Sequence, residues 1–238
     1  MKSKQTRSVC VIQHSAAEPA GLLAQVLEEE GWDLRVIRTY RHEAIPDRLD
    51  SDRGLVILGG PMSANDRERC PFLEQERKLL AGVLAQPLPV LGICLGSQLL
   101  AAALGSTVVP NTRREFGWHE VRFRKAAASD PLWQGLTGNL TAFHWHTDRF
   151  ELPEGAVSLA WSDRTDCQSF RWGKSAYGIL FHLESDQRHV ERMTRAFQAE
   201  LFDTDQHPDD IVGAAPEYLP KVERVGREIF RRWAKMLG

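Results

Sequence analysis

The sequence is missing several features that would point to large classes of function. No apolar run approaches the ~20 residues that a membrane-crossing helix requires. The N-terminus carries Lys2, Lys4 and Arg7, but the apolar stretch behind them covers only 9–12 and no small-residue cleavage site follows, so no leader peptide is expected. The four cysteines, Cys10, Cys70, Cys94 and Cys167, are scattered and form no Cys-x-x-Cys pair. That argues against a disulfide scaffold or a thiolate zinc site and fits a reducing cytoplasm. Neither sign of charge dominates: 30 Lys and Arg face 32 Asp and Glu, for a net charge of -2. A basic face for nucleic acid is not expected at that balance. There is no Gly-x-x-x-x-Gly-Lys-Ser/Thr phosphate loop, no internal repeat, no low-complexity tract and no flexible linker.

What is present is 238 residues, 42% hydrophobic and 26% charged, the composition of a chain able to bury a real core. Its first hundred residues alternate between two patterns. Short apolar runs at 8–13, 34–37, 54–58 and 89–93 read as strands. Between them, 20–30 and 72–84 carry apolar residues at helical spacing, and 97–104 is rich in Leu and Ala and stops at Gly105. Apolar strands joined by helical crossovers predict a parallel sheet covered on both faces. The middle of the chain changes character: 117–125, 140–146, 156–162, 167–172 and 176–182 read as short strands, an antiparallel layer or edge that returns to the main sheet. A helix is predicted over 188–202 and a loop over 203–216. A basic amphipathic helix follows over 218–237, with Val222, Val225, Ile229, Phe230 and Trp233 on one side.

Three segments carry chemistry. Gly92-Ile93-Cys94-Leu95-Gly96 lies between a buried strand and a helix and has the nucleophile-elbow pattern with Cys in place of Ser. A sharp strand-to-helix turn projects the side chain from the sheet edge, and the free N–H groups of a helix start favour a thiolate. Phe181-His182-Leu183-Glu184 ends the last apolar run and puts a base and a carboxylate two residues apart, on one side of an extended segment. Leu58-Gly59-Gly60-Pro61 follows a strand; its N–H groups, with that of Leu95, are candidates to hold an oxyanion. His144 and His146 share a face of a strand, but no third ligand follows at matching spacing, so no metal site is expected.

Taken together, Gly-Gly-Pro, Gly-Ile-Cys-Leu-Gly-Ser-Gln and Phe-His-x-Glu, in this order and spacing, resemble the class I, or triad, glutamine amidotransferases. The match is to stand-alone members similar to the glutaminase domain of GMP synthase, and it covers about residues 8–200. Gln98 stands where that family places a glutamine-contacting residue, and His144-Trp145-His146-Thr147-Asp148 resembles its substrate segment. The resemblance implies a flavodoxin-like α/β fold: a mostly parallel sheet with helices on both faces, a small antiparallel β layer and a C-terminal helical extension. Residues 1–200 would form the amidotransferase-like domain, with the loop and helix of 201–238 packed on it. It implies a glutaminase in which Cys94 is nucleophile, His182 base and Glu184 orienter. The oxyanion hole would come from Gly60 and Leu95, and substrate contacts from Gly59, Gln98, Trp145 and His146. No metal or organic cofactor is implied. The substrate would be L-glutamine or another γ-glutamyl compound, and ammonia would pass to a separate synthetase subunit or to solution. A homodimer is the default assembly.

Two positions depart from the family pattern. Leu183 replaces the usual proline between His and Glu, which predicts a somewhat looser pair. Trp145 replaces a small residue and is expected to reshape the pocket, along with loops near 61–70 and 110–117. The same triad would serve a γ-glutamyl peptidase with a larger leaving group. A non-catalytic regulatory module, or a redox sensor built on Cys94, is the remaining alternative.

Overall fold

The structure is a computed structural model and describes residues 7–136 and 138–238. Lys2 and Lys4 of the basic N-terminus lie outside the described residues. The strands are β1 (Ser8–Gln13), β2 (Asp33–Arg38), β3 (Asp52–Ile57), β4 (Val90–Ile93), β5 (Val108–Phe123), β6 (Asn139–Phe150), β7 (Val157–Trp161), β8 (Ser169–Trp172) and β9 (Ala176–Ile179). The helices are α1 (Gly21–Glu29), α2 (Phe72–Leu84), α3 (Leu95–Ala103), α4 (Gln187–Phe197) and α5 (Pro208–Met236).

Among the described residues, nine strands join one sheet in the order β2-β1-β3-β4-β9-β8-β7-β5-β6. The first five are mutually parallel. From β9 onward every pairing is antiparallel, so the antiparallel strands extend the same sheet. Alternation along β1 builds two cores. Val9 and Val11 face α1 and α5, where Leu23, Leu27, Ile229, Phe230 and Trp233 are buried. Cys10 and Ile12 face the other way, against Leu79, Leu80, Leu99 and Leu100 of α2 and α3. A smaller aromatic core gathers Phe116, Phe143 and Trp145 under α4 and α5, with Val190, Met193, Ile211 and Ala215.

Two expectations need correction. The stretch 208–216, read as loop from its Asp, Pro, Gly and Ala content, is the first part of α5. Pro208 occupies the first turn, where its missing N–H costs nothing, and Asp209 and Asp210 sit at the positive end of the helix dipole. Pro216 and Pro220 do remove donors inside the helix. Burial of Ile211 and Ala215 against the aromatic core offsets that loss, and Trp118 Nε1 donates to the Ile211 carbonyl at 2.8 Å. The second correction concerns 110–117, which belongs to strand β5 and pairs with β6 across an irregular register between Pro110 and Glu115. Among the described residues no helix is long and apolar enough to cross a membrane.

Candidate active site

The C-terminal ends of the parallel strands converge on one cavity, the usual ligand position in an open α/β sheet. Its lining includes Glu18 beyond β1, Gly60 and Ser63 beyond β3, and Cys94 beyond β4. Gln98 of α3 and Trp145 and His146 of β6 line it as well.

Cys94 occupies the turn between β4 and α3 with φ 51° and ψ -111°, a backbone conformation that side chains other than glycine rarely adopt. Its N–H donates to the Ile179 carbonyl of β9 at 2.8 Å, which ties the turn to the neighbouring strand. The flanking glycines are required by close approach. A Cβ on Gly92 would lie 2.4 Å from the Gly96 carbonyl oxygen, and one on Gly96 would lie 2.0 Å from that of Ile57. The elbow can therefore close only with hydrogen at both positions.

His182 comes from the segment just beyond β9. Its main-chain N–H donates to the Phe143 carbonyl at 2.9 Å, a single bridge that links this segment to β6. Its Nδ1–H donates to Glu184 Oε1 at 2.6 Å, and Nε2 has no partner among the described residues. A ring nitrogen of His182, Sγ of Cys94 and a carboxylate oxygen of Glu18 all lie within 4.8 Å of one another. The looser pairing expected from Leu183 is not found. Leu183 is buried in the main core, and the Glu184 carbonyl accepts the Leu22 N–H at 2.9 Å, so packing and α1 fix the segment that proline would otherwise stiffen.

Burial disfavours a charge on His182, but Glu184 and the neighbouring thiol outweigh it and hold the imidazole well above its ordinary value. Burial likewise opposes ionisation of Glu184, and His182 reverses that and holds the carboxyl below its usual range. Cys94 departs from the expected thiolate. Burial pushes its thiol up, and the attraction of His182 only partly compensates. Its S–H points to the Trp145 carbonyl at 3.6 Å.

Gly60 and Leu95 line the cavity beside Cys94. The Gly60 N–H donates to no acceptor among the described residues, and Leu95 is the first residue of α3, where N–H groups are unpaired. Gln98 Nε2 donates to the Asp148 carbonyl at 3.3 Å. The Trp145 ring turns into the aromatic core, 5.2 Å from the Phe116 ring centre.

His146 Nε2 lies 3.4 Å from Glu115 Oε2, and burial lowers the ring to about 4. Strand pairing sets Glu115 opposite His146, a third group near the two histidines that sequence spacing did not reveal. Glu115, His144 and His146 are close enough together to be tested as metal ligands. The Glu115 carboxylate, however, already accepts from Ser162 Oγ at 2.7 Å, Gln168 Nε2 at 2.8 Å and the Thr165 hydroxyl. That donor set suits a buried carboxylate satisfied by hydrogen bonds rather than one reserved for a cation.

The family model of the class-I glutamine amidotransferases matches residues 20–200. The chain belongs to that family. It is 33% identical over 195 residues to the glutamine amidotransferase-like protein YfeJ of Salmonella typhimurium, covering 81% of this chain and 82% of that one. It is 32% identical over 188 residues to the GMP synthase of Thermomicrobium roseum, covering 78% of this chain and 32% of that protein. The chain thus spans about a third of the GMP synthase. A crystal structure of a glutamine amidotransferase from Thermotoga maritima superposes with a TM-score of 0.87 at 30% identity, over 97% of this chain and 99% of that one. The flavodoxin-like fold expected from the sequence is that of the family.

Proposed function

We propose that the chain hydrolyses γ-glutamyl amides, L-glutamine first among them, through Cys94, His182 and Glu184. The observation that carries this reading is the line formed by Glu184, His182 and the Cys94 thiol: a 2.6 Å hydrogen bond at Nδ1, and an unpartnered Nε2 on a ring that approaches Sγ. His182 takes the thiol proton as Sγ attacks the γ-carbonyl, and Glu184 stabilises the imidazolium that results. The N–H groups of Gly60 and Leu95 hold the tetrahedral oxyanion. Collapse expels the amine, which receives the proton from His182, and leaves a γ-glutamyl thioester. Water, deprotonated by the same histidine, then releases glutamate and restores the thiol.

Ammonia released here passes to a separate synthetase chain, a reading supported by likeness to one third of a GMP synthase. The test is product analysis with purified protein, L-glutamine and a panel of γ-glutamyl amides and dipeptides, with Cys94→Ala as control. Glutamate and ammonia from glutamine, lost in the variant, are the expected result. Cleavage of only the larger compounds would move the assignment to a γ-glutamyl peptidase. Turnover that survives in Cys94→Ala would sink the scheme.

A further inference from the structure

Glu18 lies in the turn between β1 and α1, and the scheme above gives it no role. It is 3% exposed, yet its carboxylate accepts no hydrogen bond among the described residues. A methyl group added to Gly59 would come within 1.9 Å of Glu18 Oε2, so the carboxylate rests on the Gly59-Gly60 turn. It lines the same cavity as Gly60, Cys94 and Leu95. One of its oxygens is within 4.8 Å of both the Cys94 sulfur and a His182 ring nitrogen. A carboxylate that faces a cavity without a protein donor of its own is free to accept one from whatever enters.

The chemistry of the reacting group selects that donor. The γ-carbonyl oxygen is itself an acceptor and belongs to the N–H groups of Gly60 and Leu95. The amide nitrogen carries the N–H bonds of the reacting centre, and it must lie beside His182 to be protonated. The α-ammonium is the substrate's other N–H donor, but it is separated from the γ-carbon by the length of the side chain. The geometry points to Glu18 as the acceptor that holds the leaving nitrogen, making this a site for γ-glutamyl amides rather than γ-glutamyl esters. This inference rests on the hydrolase reading. As the C–S bond forms and the C–N bond breaks, the electron pair of the latter stays on nitrogen, which takes the proton from His182. Glu18 accepts an N–H hydrogen bond throughout and exchanges no proton. Burial pushes its carboxyl up to about 7, with His182 and His14 pulling it down and Glu184 and Glu200 adding to the rise. It is therefore at least partly ionised at neutral pH and above.

The experiment compares Glu18→Gln with wild type on two probes that share the glutamyl portion: L-glutamine, and the γ-p-nitrophenyl ester of L-glutamate, whose leaving group has no N–H. The readout is kcat/KM, which for both probes reports steps up to thioester formation. The expected result is a drop for glutamine at least about tenfold larger than the drop for the ester. Equal drops would overturn the inference, because they would mean that Glu18 reads the shared glutamyl portion or only supports the fold. No drop on either probe would overturn it as well. Wild type inert toward both probes would overturn the hydrolase reading and this inference with it. Ester turnover retained by Cys94→Ala would overturn the hydrolase reading and the inference that rests on it, whereas equal drops with a dead Cys94→Ala would overturn the inference alone.

Discussion

His14 holds the carbonyl of Gly59. Its Nδ1–H donates to that oxygen at 3.1 Å, while Nε2 lies 3.0 Å from both carboxylate oxygens of Glu76. Burial opposes a charge on the ring, but Glu76 outweighs it and raises the imidazole above its ordinary value. The carbonyl of Gly59 and the N–H of Gly60 are two ends of one peptide group. A cation on the first polarises the second, the proposed oxyanion donor. His14→Gln should therefore lower kcat about tenfold or more with a smaller change in KM. Steady-state kinetics on glutamine would check it, and an effect confined to KM would refute the link.

Cys94 should be a slow thiol at rest. Burial pushes it up, and the raised His182 is itself protonated in acid, so the pair must lose one proton before His182 can serve as the base of the proposed scheme. Labelling of Cys94 by iodoacetamide should be slower at pH 6 than that of free cysteine and should accelerate as pH rises. Peptide mapping is needed to separate it from Cys70, which is half-buried, whereas Cys10 and Cys167 are buried and pushed to about 12. Rapid labelling at pH 6 would contradict this account.

Gly96→Ala should break the elbow. The added Cβ would sit 2.0 Å from the Ile57 carbonyl, and backbone on both sides cannot yield cheaply. A loss of about 2–4 kcal/mol is expected in denaturant titrations, together with loss of activity. Normal stability would mean that α3 shifts more freely than its packing implies.

Glu18 makes a prediction about stability as well as rate. The unfolded carboxyl ionises near the ordinary 4.5 and the folded one at about 7. Between those values the native state holds the extra proton, so this group's contribution to stability is lost as pH rises from 4.5 to 7 and is constant above. Glu18→Gln removes that dependence. The stability of the variant relative to wild type should therefore increase by about 2–3 kcal/mol from pH 5 to pH 8. Equal differences at the two pH values would show that the carboxyl ionises normally in the folded protein.

The sequence made much of this site legible because its parts are local. Gly92, Cys94 and Gly96 are bound by one turn, and His182 and Glu184 meet across one intervening residue, so spacing alone carries their geometry. Glu18 was missed because its neighbours are brought in by three different strands, and Glu18 followed by Pro19 reads as an ordinary turn. His14 and Glu76 escaped for the same reason: one follows β1 and the other lies on the buried face of α2. Glu115 became visible only through its register with His146. In α5, composition misled, since the prolines that usually end a helix here stand at its start and along its length.

The bond from the Cys94 N–H to Ile179 joins strands that are neighbours in space but separated in the chain by almost the whole antiparallel half of the sheet. During synthesis, β4 and its elbow leave the ribosome well before β9. The nascent chain therefore carries a cysteine with neither its base nor its last backbone anchor. On the proposed mechanism the site is complete only when β9 slots between β4 and β8, which would make activity a late reporter of folding.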